Sequence, residues 1–469
     1  MFRYSTIACL ACAVLGAHAA AAEPARLNVL FIATDDLNCK VAPYGADQVK
    51  TPNLDRLSAR AVQFNRAFCQ YPVCNASRTS VLSGLYPEAT EVYSNGQHPR
   101  RALPTRVFLP EMFKQQGYFI AGIGKIAHGS FPDAVAWDVV ADAAHGEEGE
   151  GGSPTGGAAK QRKNKKGVAR PKAKSKSKAA NTDAVPYGWQ ATENSDQDEP
   201  DGRTATQVIQ LLEEHQADPF FIAAGFHRPH VPHTAPKSYF SLYPEASMSL
   251  APRGGDAVPK LAYSHFHPDL SEAAQRAVIA HYSAATSYMD SQLGVLLDTM
   301  DRLNLWDNTV VIFWSDHGWH HGEHGGIWSK FTLLDESARV PLLVAAPGGK
   351  PGHSQGIVEL IDMYPTLAEL CQLTPPDDLQ GQSFAPLLHD PSLPGKPAAY
   401  TVIERGAGRL ARGVRTKDFT YLEYPDGTAQ LFAADDVGEM DNLIDDSARA
   451  SDLAAMKSLL AETAARAAR

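Results

Sequence analysis

Two short motifs, Thr34-Asp35-Asp36 and Ser315-Asp316-His317-Gly318, each stand directly behind an apolar run, Leu27 to Ala33 and Val310 to Trp314. Three carboxylates brought together repel one another unless a cation sits between them. A hard divalent ion answers that repulsion, and an oxygen-rich donor set suits calcium or magnesium over zinc. His317 adds a nitrogen ligand and widens the choice to other divalent cations. His320, His321 and His324 follow closely. They lack the usual zinc-ligand spacings and no thiolate joins them, so they are not read as a metal site.

Two further runs end in the same way. Tyr118 to Gly122 leads to Lys125 and His128, and Phe220 to Ala224 leads to His227. One acidic pair after a strand reads as a helix cap or a solvated turn. Four strand ends carrying titratable groups point instead to the carboxyl edge of an open α/β sheet, where ligands bind. Tyr71-Pro72-Val73-Cys74-Asn75-Ala76-Ser77-Arg78-Thr79-Ser80 then introduces a helix whose apolar face uses Val81, Leu82 and Leu85. Cys74 at that N-terminus sits where backbone N–H groups attract anions. Arg78, one turn on, has the planar fork to reach the same anion. A lone cysteine is more often a packing residue, but packing accounts for neither Arg78 nor Pro72. The chemistry is an anion site beside a metal, with a nucleophile-capable residue between them.

The elements that must position these residues alternate. The strand-length runs above, with Pro341 to Ala345, are separated by helix-like stretches at Asp55 to Phe64, Thr204 to Glu214, Ala273 to Asp301 and Asp362 to Leu370. Such alternation predicts an α/β fold with a large, mainly parallel sheet sandwiched by helices. From about residue 398 the pattern changes to short turn-separated segments, Ala399 to Arg405, Arg409 to Arg415, Phe419 to Glu423 and Ala429 to Phe432. Asp426-Gly427 supplies a hairpin turn, and a small C-terminal antiparallel sheet plus a helix near Ser451 to Ala465 is expected. The division is a signal peptide at 1–22, a catalytic α/β domain at 23–390 and a C-terminal α+β subdomain at 391–469.

The signal reading rests on Arg3, an apolar stretch from Ile7 to Leu15 and a small-x-small pattern at Ala17-His18-Ala19. The stretch falls short of the roughly 20 residues a membrane span needs, so a periplasmic or secreted protein with no membrane span is expected. Cys39, Cys69, Cys74 and Cys371 remain after the signal, too few for a disulfide framework. Residues 142–184 break the globular pattern. They read as a disordered basic insertion, with ten Lys and Arg and no acid between Lys160 and Lys178. A tolerated surface loop is preferred over a tether to anionic polymer. The formal net charge of −10 includes those ten cations, so the rest of the chain carries about −20. An acidic body excludes nucleic acid as a partner.

At the chemistry-bearing residues the chain resembles the type I, formylglycine-dependent sulfatases of the alkaline-phosphatase-like superfamily. Cys74-Asn75-Ala76-Ser77-Arg78 and Thr79 to Gly84 resemble the maturation signature, and Gly124-Lys125-Ile126-Ala127-His128 resembles a second one. Gly225-Phe226-His227-Arg228-Pro229-His230-Val231-Pro232, Ser315 to Trp319, Gly322 to Gly325 and Lys330 find counterparts, in order, in the iduronate-2-sulfatase-like branch. The resemblance covers nearly the whole mature chain except the insertion. It implies metal ligation by Asp35, Asp36, Asp316 and His317 together with residue 74, and oxidation of Cys74 to formylglycine by a maturase. One hydroxyl of the hydrated aldehyde attacks sulfur, with charge neutralised by Arg78, Lys125 and Lys330. His227 or Lys330 protonates the leaving oxygen, and His128 deprotonates the second hydroxyl so that sulfate leaves. Trp319, His227 and Lys125 would bind substrate, by analogy a sulfated carbohydrate such as a 2-O-sulfated uronic acid. Many members carry Pro at the position of Ala76; alanine suits a radical maturase. Two other readings remain at this point: a phosphodiester or phosphonate monoester hydrolase of the same superfamily, and a non-catalytic sulfated-glycan-binding protein. Arg100 and Arg101 read as a solvated loop.

Overall fold

The computed structural model describes residues 26–129, 131–141, 185–255, 258–263, 269–406 and 408–469. The expected signal segment 1–22 and the basic insertion 142–184 lie outside the described residues. Eight strands form the main sheet: β1 (Asn28–Asp35), β2 (Val62–Phe68), β3 (Phe119–Gly124), β4 (Val139–Ala141), β5 (Phe220–Pro229), β6 (Thr309–Ser315), β7 (Leu342–Ala345) and β8 (Gly352–Glu359). Their spatial order is β8-β2-β7-β6-β1-β5-β3-β4. Neighbours run parallel except at β7, which is antiparallel to both β2 and β6.

The covering helices are α1 (Pro52–Ser58), α2 (Cys74–Ser83), α3 (Leu109–Gln115), α4 (Pro200–His215), α5 (Glu272–Arg302) and α6 (Met363–Leu370), and α7 (Ala450–Ala467) ends the chain. Alternate residues of β1 serve opposite faces. Val29, Phe31 and Ala33 join a core with α2, α3 and α6, while Leu30 and Ile32 join a second core with α1, α4 and α5. A strand buried on both sides has no polar face to display, which is why these runs are continuously apolar.

The sequence pattern predicts one helix over Asp55–Phe64; the helix stops at Ser58 and the chain re-enters the sheet as β2. Leu54, Leu57, Ala61 and Phe64 match a helical period, but Val62 and Phe64 also alternate with Gln63. Tertiary burial settles the ambiguity, since Gln63 finds partners in the Pro43 carbonyl and Asn65. Strand β8 escapes a reading based on apolar runs because it is an edge strand, with exposed His353 and Gln355 on one face.

Beyond residue 398 the four-stranded antiparallel sheet appears as expected: β9 (Ala399–Glu404), β10 (Leu410–Arg415), β11 (Phe419–Glu423) and β12 (Ala429–Ala433). Its apolar face and α7 share a core with Tyr71, Val73, Ala76 and Tyr86, the residues around Cys74. The Tyr71 hydroxyl accepts from the Glu404 N–H at 2.9 Å, and the Gln70 carbonyl accepts from the Val402 N–H at 2.9 Å. The C-terminal sheet thus backs the segment that carries the candidate nucleophile.

Candidate active site

The carboxyl ends of β1, β3, β5 and β6 meet the N-terminus of α2. Pro72 cannot continue a helix backwards, Val73 is extended, and Cys74 is the first helical residue. Its side chain is fully buried. Cys74 Sγ lies 3.4 Å from Asp35 Oδ1 and 3.3 Å from His317 Nε2, and Lys330 Nζ donates to it at 3.0 Å. Burial pushes the thiol upward and Asp35 pushes the same way, outweighing Lys330. As a cysteine, residue 74 is therefore a neutral thiol.

Asp36 has φ of 68°, a left-handed conformation uncommon outside glycine, and it turns the chain so that both carboxylates of the pair face inward. The Asp36 N–H donates to Asp316 Oδ1 at 3.3 Å. Burial and the neighbouring carboxylates push Asp36 well up, with Lys330 opposing. Asp35, although burial works against it, is held well below the usual range by Lys125, His230, Arg78 and Lys330. Asp36 Oδ2 is buried without a hydrogen bond. Asp35, Cys74, Asp316 and His317 have ligand atoms within 4.8 Å of one another, as do Asp35, Asp36, Cys74 and His230. Burial drives His317 down to about 4, leaving a neutral imidazole. The donor set and the orphaned oxygen fit a divalent cation.

His230 is the member of this group that reasoning from strand ends missed. Strand β5 runs on to Pro229 rather than stopping at Ala224, so its titratable edge begins later. His230 Nε2 lies 3.9 Å from Asp36 Oδ2.

The cations take two roles. Lys330 Nζ donates to Asp36 Oδ1 at 2.7 Å, and Lys125 Nζ is 2.8 Å from Asp35 Oδ2. Lys125 is delivered by a close crossing of strand ends: its N–H donates to the Gly225 carbonyl at 2.8 Å, and a Cβ on Gly225 would stand 2.3 Å from Lys125 backbone atoms. Arg78 differs from expectation. Its Nε donates to Asp316 Oδ2 at 2.8 Å, its Nη2 to the Thr34 carbonyl at 2.9 Å, and its Nη1 to the carbonyls of Lys125 and Ile126. With Asp35 Oδ2 3.6 Å from Nη2, the fork that the sequence assigns to an anion is occupied by the walls of the site.

His128 is buried, and its Nδ1 has no hydrogen bond. Burial and then Lys125 push it down to about 3. His227 faces Asp201, whose carboxylate accepts the His227 N–H at 2.7 Å and lies 3.7 Å from Nδ1. Trp319 is buried, with Lys330 Nζ 5.9 Å from its ring centre. Arg100 is no solvated loop residue: it pairs with Glu111 at 2.6 Å and covers the Phe108 ring.

Comparison with known proteins places the chain in one family. The sulfatase family model matches residues 27–373, and that of the N-sulphoglucosamine sulphohydrolase C-terminal region matches residues 322–466. A sulfatase of Formosa agariphila is 31% identical, covering 94% of this chain and 87% of that protein. Iduronate 2-sulfatase of Homo sapiens is 30% identical, covering 82% and 80%. Among solved structures, a protein bound to its substrate D-glucosamine-2-N,6-O-disulfate superposes with a TM-score of 0.75 at 18% identity, covering 94% of this chain and 98% of that one. A phosphonate monoester hydrolase of Agrobacterium radiobacter gives 0.74 at 20% identity, covering 94% and 96%; at such identities the likeness is one of fold.

Proposed function

The chain belongs to the sulfatase family and is a sulfuric ester hydrolase, and on that premise we propose that it desulfates a 2-O-sulfated uronic acid of a glycan, through formylglycine formed from Cys74. The observation that carries the site assignment is the convergence of Asp35, His317 and Lys330 on Cys74 Sγ within 3.4 Å. A buried thiol pushed upward is a poor nucleophile, so as a cysteine residue 74 would be ill suited to attack sulfur itself. Hydrated formylglycine would supply two hydroxyls, one to attack sulfur and one to be deprotonated. Asp35, Asp36, Asp316 and His317 would hold a calcium-type ion, which when bound supplies Lewis-acid polarisation of a sulfate oxygen.

The remaining chemistry belongs to the chain. Lys125 and Lys330, both cationic against their carboxylates, neutralise the sulfuryl group as negative charge develops. His227 or Lys330 would protonate the leaving oxygen. Arg78 acts as a positioning residue that keeps Asp35, Asp316 and two strand ends in place. Trp319 walls the substrate side beside Lys330. His128, neutral because burial holds it low, accepts the proton whose loss lets sulfate depart. Export to the periplasm or the exterior is part of the proposal. Among the described residues no helix is long and apolar enough to cross a membrane.

His128→Gln is expected to lower turnover by roughly 10²- to 10⁴-fold, the usual worth of a positioned base. Rapid-mixing assays should show a burst of released alcohol without matching sulfate; equal slowing of both products would remove His128 from the second half of the reaction. Paired assays test the substrate. Sulfate release from a 2-O-sulfated unsaturated uronide disaccharide should far exceed turnover of a phosphonate monoester. Preference for the phosphonate would favour the hydrolase suggested by the fold likeness, and activity confined to 6-O- or N-sulfated glucosamine would move the substrate to another sugar.

A further inference from the structure

A second group of buried donors lies in the turn that follows Trp319. Chain residues 320–321 and 328–329 pair as a two-stranded antiparallel ladder, and the reversal between them brings His324 back beside Glu336. His320 Nδ1 stands 3.5 Å from Glu323 Oε2 and 3.8 Å from Glu336 Oε2, and His324 Nε2 stands 3.5 Å from Glu336 Oε2. The side chains of His320, Glu323, His324 and Glu336 are 0, 3, 1 and 10% exposed. His320 Nδ1, His324 Nε2 and Glu336 Oε2 are all buried without a hydrogen bond. Buried polar atoms seldom go unsatisfied, and three that face one another need an account.

Protonated imidazoles would give one, and His324 and His320 do hold the Glu336 carboxyl down to about 2 against its burial, but burial pushes His320 down to about 3, so its Nδ1 is left without a charge-based account. A cation would give another. An ion held tetrahedrally at about 2.0–2.1 Å sets its ligand atoms about 3.3 Å apart; those of His320, Glu323 and Glu336 lie within 4.8 Å of one another, and His324 stands against Glu336 alone. The surroundings also fit ligation. His320 Nε2 lies 2.7 Å from Thr332 Oγ1, the outer-shell contact that orients a metal-bound imidazole through its other nitrogen. Glu323 Oε2 is fixed by the His321 N–H at 2.6 Å, and its other oxygen pairs with Lys40. His320 and His324 do not form a ligand set within the sequence motif alone; Glu336, from beyond the ladder, completes it.

We propose that His320, Glu323, His324 and Glu336 form a second metal site, suited by its imidazole and carboxylate donors to a zinc-class divalent ion. Its place is structural. The turn it ties runs from Trp319 to Lys330, and Lys330 is flanked by Ser329 and Phe331, both at φ of 74°. An ion joining His320 to Glu336 would bracket that strained stretch, and with it the lysine on Cys74.

The test counts metal and does not depend on turnover, so it is independent of the substrate proposal. Chelator-stripped full-length protein is equilibrated with Zn²⁺ in calcium-containing buffer and its zinc measured by elemental mass spectrometry. About one zinc per chain is expected in the wild type and in Asp316→Asn. His324→Ala should lose that zinc, and Thr332→Val, which leaves every donor in place, should bind it about 10- to 100-fold more weakly. Zinc should raise the melting temperature of the wild type. No zinc in the wild type overturns the proposal, as does zinc that Asp316→Asn loses or that both His324→Ala and Thr332→Val retain unchanged. If His324→Ala does not fold, Thr332→Val decides alone.

Discussion

Replacing Cys74 by alanine is expected to lower kcat/KM for sulfate-ester hydrolysis by at least about 10⁴-fold, the scale on which loss of a covalent nucleophile is felt. The substitution removes one buried sulfur from the N-terminus of α2, where Asp35, His317 and Lys330 all converge. The backbone of α2 does not depend on that side chain, because no side chain caps the helix. Folding should therefore survive, with a change in melting temperature of a few degrees at most. Cys74→Ser separates the two meanings of the loss. A serine hydroxyl restores the volume and one oxygen but not the second hydroxyl of a hydrated aldehyde, so it should be as inactive over many turnovers as alanine. The tryptic peptide containing residue 74, taken from active wild-type protein, should be lighter than the encoded peptide by about 18 Da, the difference between a thiol and an aldehyde side chain. Active protein with an unmodified cysteine would sink the mechanism.

The second large effect is on stability. Arg78→Ala removes a guanidinium whose donors go to Asp316, Thr34, Lys125 and Ile126, with Asp35 close by. It leaves buried carboxylates and carbonyls unpartnered. Breaking a buried pair in this way costs about 3–5 kcal/mol, a large share of the roughly 5–15 kcal/mol that holds a domain together. Urea denaturation should show the midpoint falling accordingly, and turnover should fall with it because Asp316 loses its tether. Arg78→Lys should recover little of either, since an ammonium is a point charge and cannot replace a five-donor fork. A variant with wild-type denaturation midpoint and turnover would remove Arg78 from the framework; wild-type stability with lost turnover would return it to direct contact with sulfate.

The two readings of Arg78 show what a sequence can and cannot display. Its reach from Cys74 is legible because one helical turn fixes it. Its partners are not, because Thr34 and Asp316 come from strands 44 and 238 residues away in the chain. Legibility followed physics elsewhere too. Strands β1, β5 and β6 are buried on both faces, so their apolar runs announce them, and the acids behind β1 and β6 mark their ends. Strand β2 carries a pattern compatible with two periods, and only its neighbours choose. Lys330 has no local signal: it follows a turn at positive φ, and resemblance alone singles it out. The strand-end pattern does not reach His230, since β5 continues through polar residues that no apolar run marks.

Cys74 is fully buried, and the wall behind it is built from Tyr71, Val73 and Ala76 against strands that lie more than three hundred residues later in the chain. During synthesis those strands emerge long after residue 74 does. Until they arrive, Tyr71, Val73 and Ala76 lack part of the core they share in the finished fold, and the proposed maturase would find residue 74 more open than after β9 and β10 dock. The order of manufacture is thus written into the topology. The proposed oxidation of Cys74 would have a deadline, set by how quickly the C-terminal sheet closes. A host that folds this chain faster than it modifies it would accumulate a stable, correctly folded and permanently idle protein.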